Sequence, residues 1–347
     1  MTRRIDGEGR EALRRLFAEQ GFAAVGFTHA GPVVDRVSPW VAAGQHGSMD
    51  YMARHSAVRA DPTFMLPEAR SVICVAAAYP PGDGKGHVAA YARGEDYHRT
   101  MKAALRRAVA ELPDLLGHEP ATRVCVDTAP LLERSLAARA GLGWIGRNTL
   151  LLNERIGPWM MLGEVLTDLD IAPDEPAQDH CGTCTACVQA CPTAALDGER
   201  NLDARACLSY WTIEHRGDVP DEWALAADHR VFGCDDCLAA CPYPRQVAPL
   251  ASPGPYEPRP DLVSPTLDEL EARATESFRK HFSTTPIERA RRRGLLRNIA
   301  MVRERGHGAG DEGLGGDEAA SQGPSRGAPG SDGPQTDGLT GEPTAPR

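Results

Sequence analysis

Eight of the ten cysteines fall between residues 181 and 241. Cys181, Cys184, Cys187 and Cys191 are spaced C-x2-C-x2-C-x3-C. Cys207 follows, and then Cys234, Cys237 and Cys241 are spaced C-x2-C-x3-C. A proline closes each run, Pro192 and Pro242. The first run is the bacterial ferredoxin pattern, in which the fourth cysteine ligates the other cluster of the pair. One 4Fe–4S cage takes four thiolates, so two cages use all eight. Two-residue gaps let a tight loop wrap a cluster with its backbone N–H groups turned toward the sulfurs, and the proline redirects the chain. The expected assignment is crossed. Cys181, Cys184, Cys187 and Cys241 hold one cluster, and Cys191, Cys207, Cys234 and Cys237 hold the other. The second run has only three cysteines, so Cys207 must supply its missing thiolate from upstream. Structural zinc favours paired C-x2-C sites over this run. Disulfides belong to exported chains, and Met1–Glu8 lacks the apolar core of a signal peptide. Cys74 and Cys125 lie in apolar strand-like runs and read as small buried hydrophobes.

Two further groups could do chemistry or be mistaken for it. Asp127 ends the apolar run Thr122–Val126, where partial burial can raise a carboxyl pKa. The same residue could instead cap a helix opening at Pro130. Gly141-Leu142-Gly143-Trp144-Ile145-Gly146 fits G-x-G-x-x-G. A dinucleotide fingerprint must follow a strand and open a helix. This one follows the helical pattern Glu133–Ala140 and leads into an apparent strand, Thr149–Leu152. NAD and FAD binding are therefore rejected, and the glycines read as a tight turn or a close approach to a flat ligand.

The elements that must position these residues are legible in the periodicity. The chain has 347 residues, 41% hydrophobic and 25% charged, enough for two to three domains. No apolar run approaches the ~18 residues needed to span a bilayer. Residues 1–175 read as an α/β or α+β domain, and Glu11–Gln20 has Leu13, Leu16 and Phe17 on one helical face. Phe22–Phe27, Ser71–Ala77 and Thr122–Val126 are strand candidates. Met101, Leu105, Ala108, Val109 and Leu112 mark a longer helix, and a further helix runs from Pro130 to about Ala140. Thr149–Leu152 and Met160–Leu166 look like strands joined by a turn at Gly157-Pro158. Residues 179–245 form the double-cluster domain. Residues 246–265 hold six prolines and read as extended, and 266–305 as helical. Residues 306–347, with twelve glycines and five prolines, read as a disordered acidic tail. The net charge of −10 argues against a nucleic-acid binder if taken whole. Yet residues 279–305 hold nine Lys or Arg against two Glu, a concentrated basic patch.

Several of these segments resemble the epoxyqueuosine reductases. They are His180–Pro192, Ala204–Gly217 with its run Ser209-Tyr210-Trp211-Thr212-Ile213-Glu214-His215-Arg216-Gly217, and Gly233–Cys237. Tyr91–His98, Val126–Pro130, Gly141–Leu151 and Gly294–Asn298 match as well. The resemblance runs from about residue 10 to 303. It implies an α+β fold with an N-terminal cobalamin-binding domain and a bacterial-ferredoxin-like two-cluster domain. The implied activity is reduction of the epoxide of epoxyqueuosine in tRNA to give queuosine, using base-off cobalamin and two 4Fe–4S clusters. A cytoplasmic setting is implied too: a monomer with an external electron donor and no membrane. Asp127 matches the family's proton donor. Arg54, Tyr91, Tyr97, Asn148, Thr149, Ser209 and Asp235 are candidate cobalamin contacts. Arg216, Arg291, Arg292, Arg293 and Arg297 are candidate tRNA contacts, because arginines neutralise phosphates and stack on splayed bases. The corrinoid signature D-x-H-x-x-G is absent, since Asp96-Tyr97-His98-Arg99-Thr100-Met101 fails at its last position. Longer members continue past the Arg-Asn segment into RNA-contacting helical repeats. Here a Gly-rich stretch follows, which predicts a larger share of the affinity for the basic patch.

Two other functions fit part of the pattern. One is a corrinoid iron–sulfur reductase acting on a small molecule; the basic 279–305 segment favours RNA over it. The other is a ferredoxin-type electron carrier, which would leave about 175 residues before the clusters without a task.

Overall fold

Every residue of Ser71–Ala78 is buried, and the other strands assemble on this run. The computed structural model describes residues 4–243 and 256–308. Among them are six strands: β1 (Ala24–His29), β2 (Ser71–Ala78), β3 (Thr122–Cys125), β4 (Trp144–Ile145), β5 (Leu151–Leu152) and β6 (Met160–Thr167). β1, β2, β6 and β3 form one antiparallel sheet in that order, and β4 pairs with β5 in a separate hairpin. Met160–Leu166 was expected beside Thr149–Leu152, but β6 instead lies between β2 and β3. Its longer apolar run gains more by burial between two strands than by pairing with a two-residue neighbour.

Both faces of the sheet are covered. Ile73, Val75 and Ala77 face a core built with Leu13, Leu16, Phe17, Met101 and Leu105. Those residues come from the Gly7–Glu19 and Tyr97–Leu116 helices. Val72, Cys74 and Ala76 face the other way, against Leu136 and Ala137 of the Glu133–Arg139 helix. The period-two alternation of β2 thus serves two apolar layers. The Glu133–Arg139 helix sits so close that a Cβ on Gly26 would lie 2.1 Å from the Ala140 carbonyl oxygen. That helix begins three residues after Pro130, and its N-cap position is Leu132.

The cluster segment and the C-terminal helices interlock with this sheet. Ala186–Gln189 and Asp236–Ala239 are one-turn helices carrying Cys187 and Cys237. Leu238 joins the same core as β2. Val88 pairs with Phe232 in an isolated bridge. The Asn298 side chain donates to the Thr212 and Val231 carbonyls at 2.8 Å, tying the last helix to the cluster segment. Residues 266–305 are helical as expected, in Leu267–Phe282, Pro286–Ala290 and Arg291–Gly308. Of the segment expected to be extended, Pro260–Val263 is a helical turn and residues 246–255 lie outside the described residues. So does the tail from residue 309 onward.

Candidate active site

The seven cysteines of the runs and Cys207 gather in two sets. Burial raises the Cys241 thiol, and its sulfur neighbours are Cys187, Cys181 and Cys184. Burial likewise raises Cys237, whose first sulfur neighbours are Cys207, Cys234 and Cys191, with Cys187 farther down the order. The long hop from Cys207 to Cys234 is bridged by the Ala204–Ala206 turn and the π-helix Tyr210–Glu214. All eight are free thiols. Among the described residues no three His, Cys, Asp or Glu meet at a single-ion site. A 4Fe–4S cage instead places each thiolate on its own iron, so its ligands stand apart. N–H donors already face these sulfurs: Trp144 Nε1 reaches Cys181 at 3.3 Å and the Ala195 amide reaches Cys191 at 3.3 Å. Such donors tune a cluster's potential. The two sets therefore fit two 4Fe–4S groups. Cys184 is exposed, which opens the first cage to solvent.

Cys234 of the second set lines an open cavity of about 230 Å3 between the sheet and the cluster loop. Tyr79, Tyr91, Leu150, Met160 and Leu162 supply an apolar, partly aromatic floor, and Ser209 and Asp235 supply polar groups from the cluster side. Burial raises the Asp235 carboxyl, although the Ala90 amide donates to it at 2.7 Å. A flat macrocycle with polar edge groups fits this surface, which would hold one of its faces.

Of the expected corrin contacts, Tyr91, Ser209 and Asp235 line the cavity. Asn148 is buried beside it and is spent internally: its Nδ2 donates to the Cys237 carbonyl and its Oδ1 accepts from the Leu150 amide. It joins the glycine loop to the second cage. Thr149 has a positive φ, and its carbonyl accepts from Arg134. Tyr97 stacks on His98 at 4.1 Å. Arg54 is exposed and lies outside the cavity lining.

Asp127 differs from expectation in surroundings. Its side chain is 52% exposed, and Oδ2 lies 2.7 Å from His98 Nε2. The strand ends before it and its side chain is half exposed, not buried as the sequence suggested. Nor does it cap the following helix. His98 Nδ1 lies 2.6 Å from Asp96 Oδ1. Burial disfavours the His98 cation, but hydrogen bonds to Asp127 and Asp96 outweigh it and push the imidazole up to about 9. Asp96, His98 and Asp127 thus form a hydrogen-bonded line, and the Asp127 charge acts on buried Tyr91 of the cavity lining. The sequence reading quoted Asp96 and His98 within the family-matching segment Tyr91–His98 and in a failed corrinoid signature, and gave neither a role. The signal available was their two-residue spacing at a helix start, where Asp96 also caps the helix.

The basic residues divide. Arg216 donates to the Ala290 and Arg289 carbonyls. Arg292 donates to the Ala274 carbonyl, and Arg297 to those of Trp211, His215 and Gly217. Arg289 pairs with Glu214 and lies over the Tyr51 ring. Arg291 and Arg293 are exposed.

Comparison with known proteins places the whole arrangement. Residues 59–128 match the family described as Epoxyqueuosine reductase QueG, DUF1730, and residues 180–244 match the 4Fe-4S double cluster binding domain. The chain is 40% identical to the epoxyqueuosine reductase of Pseudomonas aeruginosa, over 84% of each chain. It superposes on an epoxyqueuosine reductase crystallised with an epoxyqueuosine-modified tRNA-Tyr stem loop, with a TM-score of 0.74 and 29% identity over 85% of this chain and 80% of that one. The Bacillus subtilis epoxyqueuosine reductase, solved with its catalytic aspartate loop swung out of the active site, gives a TM-score of 0.75. Its identity is 27%, over 85% of this chain and 81% of that one.

Proposed function

The chain belongs to the epoxyqueuosine reductase family and reduces the epoxide of epoxyqueuosine in tRNA, and we propose that it does so on a bound cobalamin fed by its two 4Fe–4S clusters, with Asp127 and His98 handling the proton. The observation that carries this reading is the Asp96–His98–Asp127 line, whose Asp127 charge acts on Tyr91, a residue that lines one cavity with Cys234. Bound cobalamin would supply a low-valent metal able to reduce a strained C–O bond.

The chain's own residues do the rest. Tyr91, Ser209 and Asp235 would hold the flat group in the cavity that Cys234 also lines. Cys184, exposed at the first cage, marks where an external donor delivers electrons. The leaving oxygen must be protonated, because an alkoxide is a poor leaving group. Asp127 stands half in solvent, and it passes to the leaving oxygen the proton that His98 holds against it. Asp96 fixes the His98 ring and favours its charged form. The enzyme acts as a cytoplasmic monomer, and no helix among the described residues is long and apolar enough to cross a membrane.

The test is an anaerobic turnover assay with reconstituted protein, a strong reductant and tRNA carrying epoxyqueuosine, read by nucleoside mass. Loss of one oxygen only when cobalamin is added is the expected result. Loss of oxygen without cobalamin would overturn the cofactor assignment.

A further inference from the structure

Beneath the Asp127 loop lies a pair of carboxyl groups that the proton line does not use. Glu164 sits in the middle of β6, fully buried, and its oxygens meet no backbone or cationic donor, only the Glu133 carboxyl. Across the sheet its row reads Gly26, Cys74, Glu164, Cys125. All four residues face the Glu133–Arg139 helix. A carboxylate so placed loses its hydration with nothing in exchange. The charged group that acts on it most is Glu133, at the start of that helix. Glu133 Oε1 accepts the Asp127 backbone N–H at 2.5 Å.

That hydrogen bond holds a costly conformation. Asp127 has φ +49, and the Thr128 amide donates to the Val126 carbonyl at 2.6 Å across it. This is a γ-turn with positive φ at its centre, the rare and strained form. A residue in that region persists only where its surroundings enforce it. In the Bacillus subtilis relative the corresponding kind of loop, bearing the catalytic aspartate, is seen swung out of the active site.

We propose that Glu133 is a positioning residue that clamps the Asp127 loop over the cavity through the Asp127 backbone N–H, and that a proton shared between Glu133 and the buried Glu164 keeps the clamp closed. The proposal rests on Asp127 being the proton donor. Burial raises both carboxyls, and the Asp127 charge pushes Glu133 up further, to about 8. Losing the shared proton would set three carboxylates together, Glu164, Glu133 and Asp127. Repulsion among them outweighs the stronger acceptor that an ionised Glu133 would make. The other titratable or charged groups facing the pair are Cys74 from β2, Cys125 from β3, Arg134 from the helix, and Tyr97. The two thiols are buried and raised, so they add no charge at neutral pH.

The experiment is hydrogen exchange of residues 126–132 in the full, cluster-reconstituted chain, corrected for intrinsic pH dependence. Glu133→Ala is expected to speed exchange about tenfold or more, whereas Glu133→Gln, which keeps an acceptor oxygen, stays within about threefold of the native chain. In the native chain protection falls as pH rises through about 8, and Glu164→Gln removes that fall. Thermal stability follows the same proton. A carboxyl raised in the folded state contributes stability that is fully present below its unfolded value, 4.5, and is lost as pH rises through about 8. In turnover, Glu133→Ala should lower kcat with KM for tRNA within about twofold, because the loop meets the reacting oxygen and not the phosphates. Native exchange in Glu133→Ala overturns the clamp. If that variant does not fold, an unchanged pH profile in Glu164→Gln overturns the shared proton. Asp127→Asn is assayed alongside. Full turnover there overturns the acid reading, while loss of turnover there combined with native exchange in Glu133→Ala overturns the clamp alone.

Discussion

At neutral pH the His98 imidazole is protonated, because Asp96 and Asp127 face its two nitrogens at 2.6 and 2.7 Å. Its folded pKa, about 9, lies above the ordinary 6.5. The stability this ion network contributes is therefore complete below about 6.5 and is lost as pH rises through about 9. Turnover should share that upper limb, since a neutral imidazole cannot reload Asp127. The expected profile of kcat is flat to about pH 8 and declines through about 9. In His98→Gln the limb should vanish and the remaining rate should be at least about tenfold lower. A limb that survives in His98→Gln would assign it to another group. Asp127→Asn should keep both clusters and lower turnover by about 100-fold or more, read in the same assay. The sequence expected Asp127 to be partly buried and misjudged its setting, because exposure depends on where β3 ends.

At the scale of elements, the basic segment turns out to be two things. Arg216, Arg292 and Arg297 spend guanidinium donors on backbone carbonyls. They pin the Arg291–Gly308 helix to the π-helix and to the Leu267–Phe282 helix. Arg291 and Arg293 point to solvent. We therefore expect Arg291→Glu with Arg293→Glu to raise KM for tRNA more steeply with salt and to leave the melting temperature nearly unchanged. Arg297→Ala should instead destabilise the fold by about 2 kcal/mol, since it orphans several carbonyls. A salt response in Arg297→Ala equal to that of the exposed pair would remove the distinction. The Ser209–Gly217 run also divides. Thr212 accepts the Gly233 amide, and the Tyr210 hydroxyl accepts the Ser48 amide. Only Ser209 of the run lines the cavity.

At the scale of the whole molecule, residues from segments that read as separate domains share cores. Leu238 and Cys237 pack with β2 and the N-terminal helices, and Val88 and Ala92 pack with the C-terminal helices. The cavity exists only because this interlocking brings the second cage against the sheet. Cys207 is the most exacting test of the cage assignment, since it stands outside both runs. Cys207→Ala should hold about four irons per chain in place of about eight. Eight irons in that variant would mean that another residue completes the cage.

The sequence by itself determined the metal chemistry. Cluster ligands are set by gaps of two and three residues, and such gaps are local geometry that any reader of the chain can see. Periodicity likewise fixed the helix with Leu13, Leu16 and Phe17 and the buried run of β2. The tertiary structure alone decided the partners of β6, the fate of each arginine and the proton machinery. Asp96, Asp127, Glu133 and Glu164 come from different segments. They meet only after β3 pairs with β6 and helices close over both faces of the sheet. A carboxyl's burial, charge state and hydrogen-bond partner are products of that packing, and no spacing along the chain encodes them.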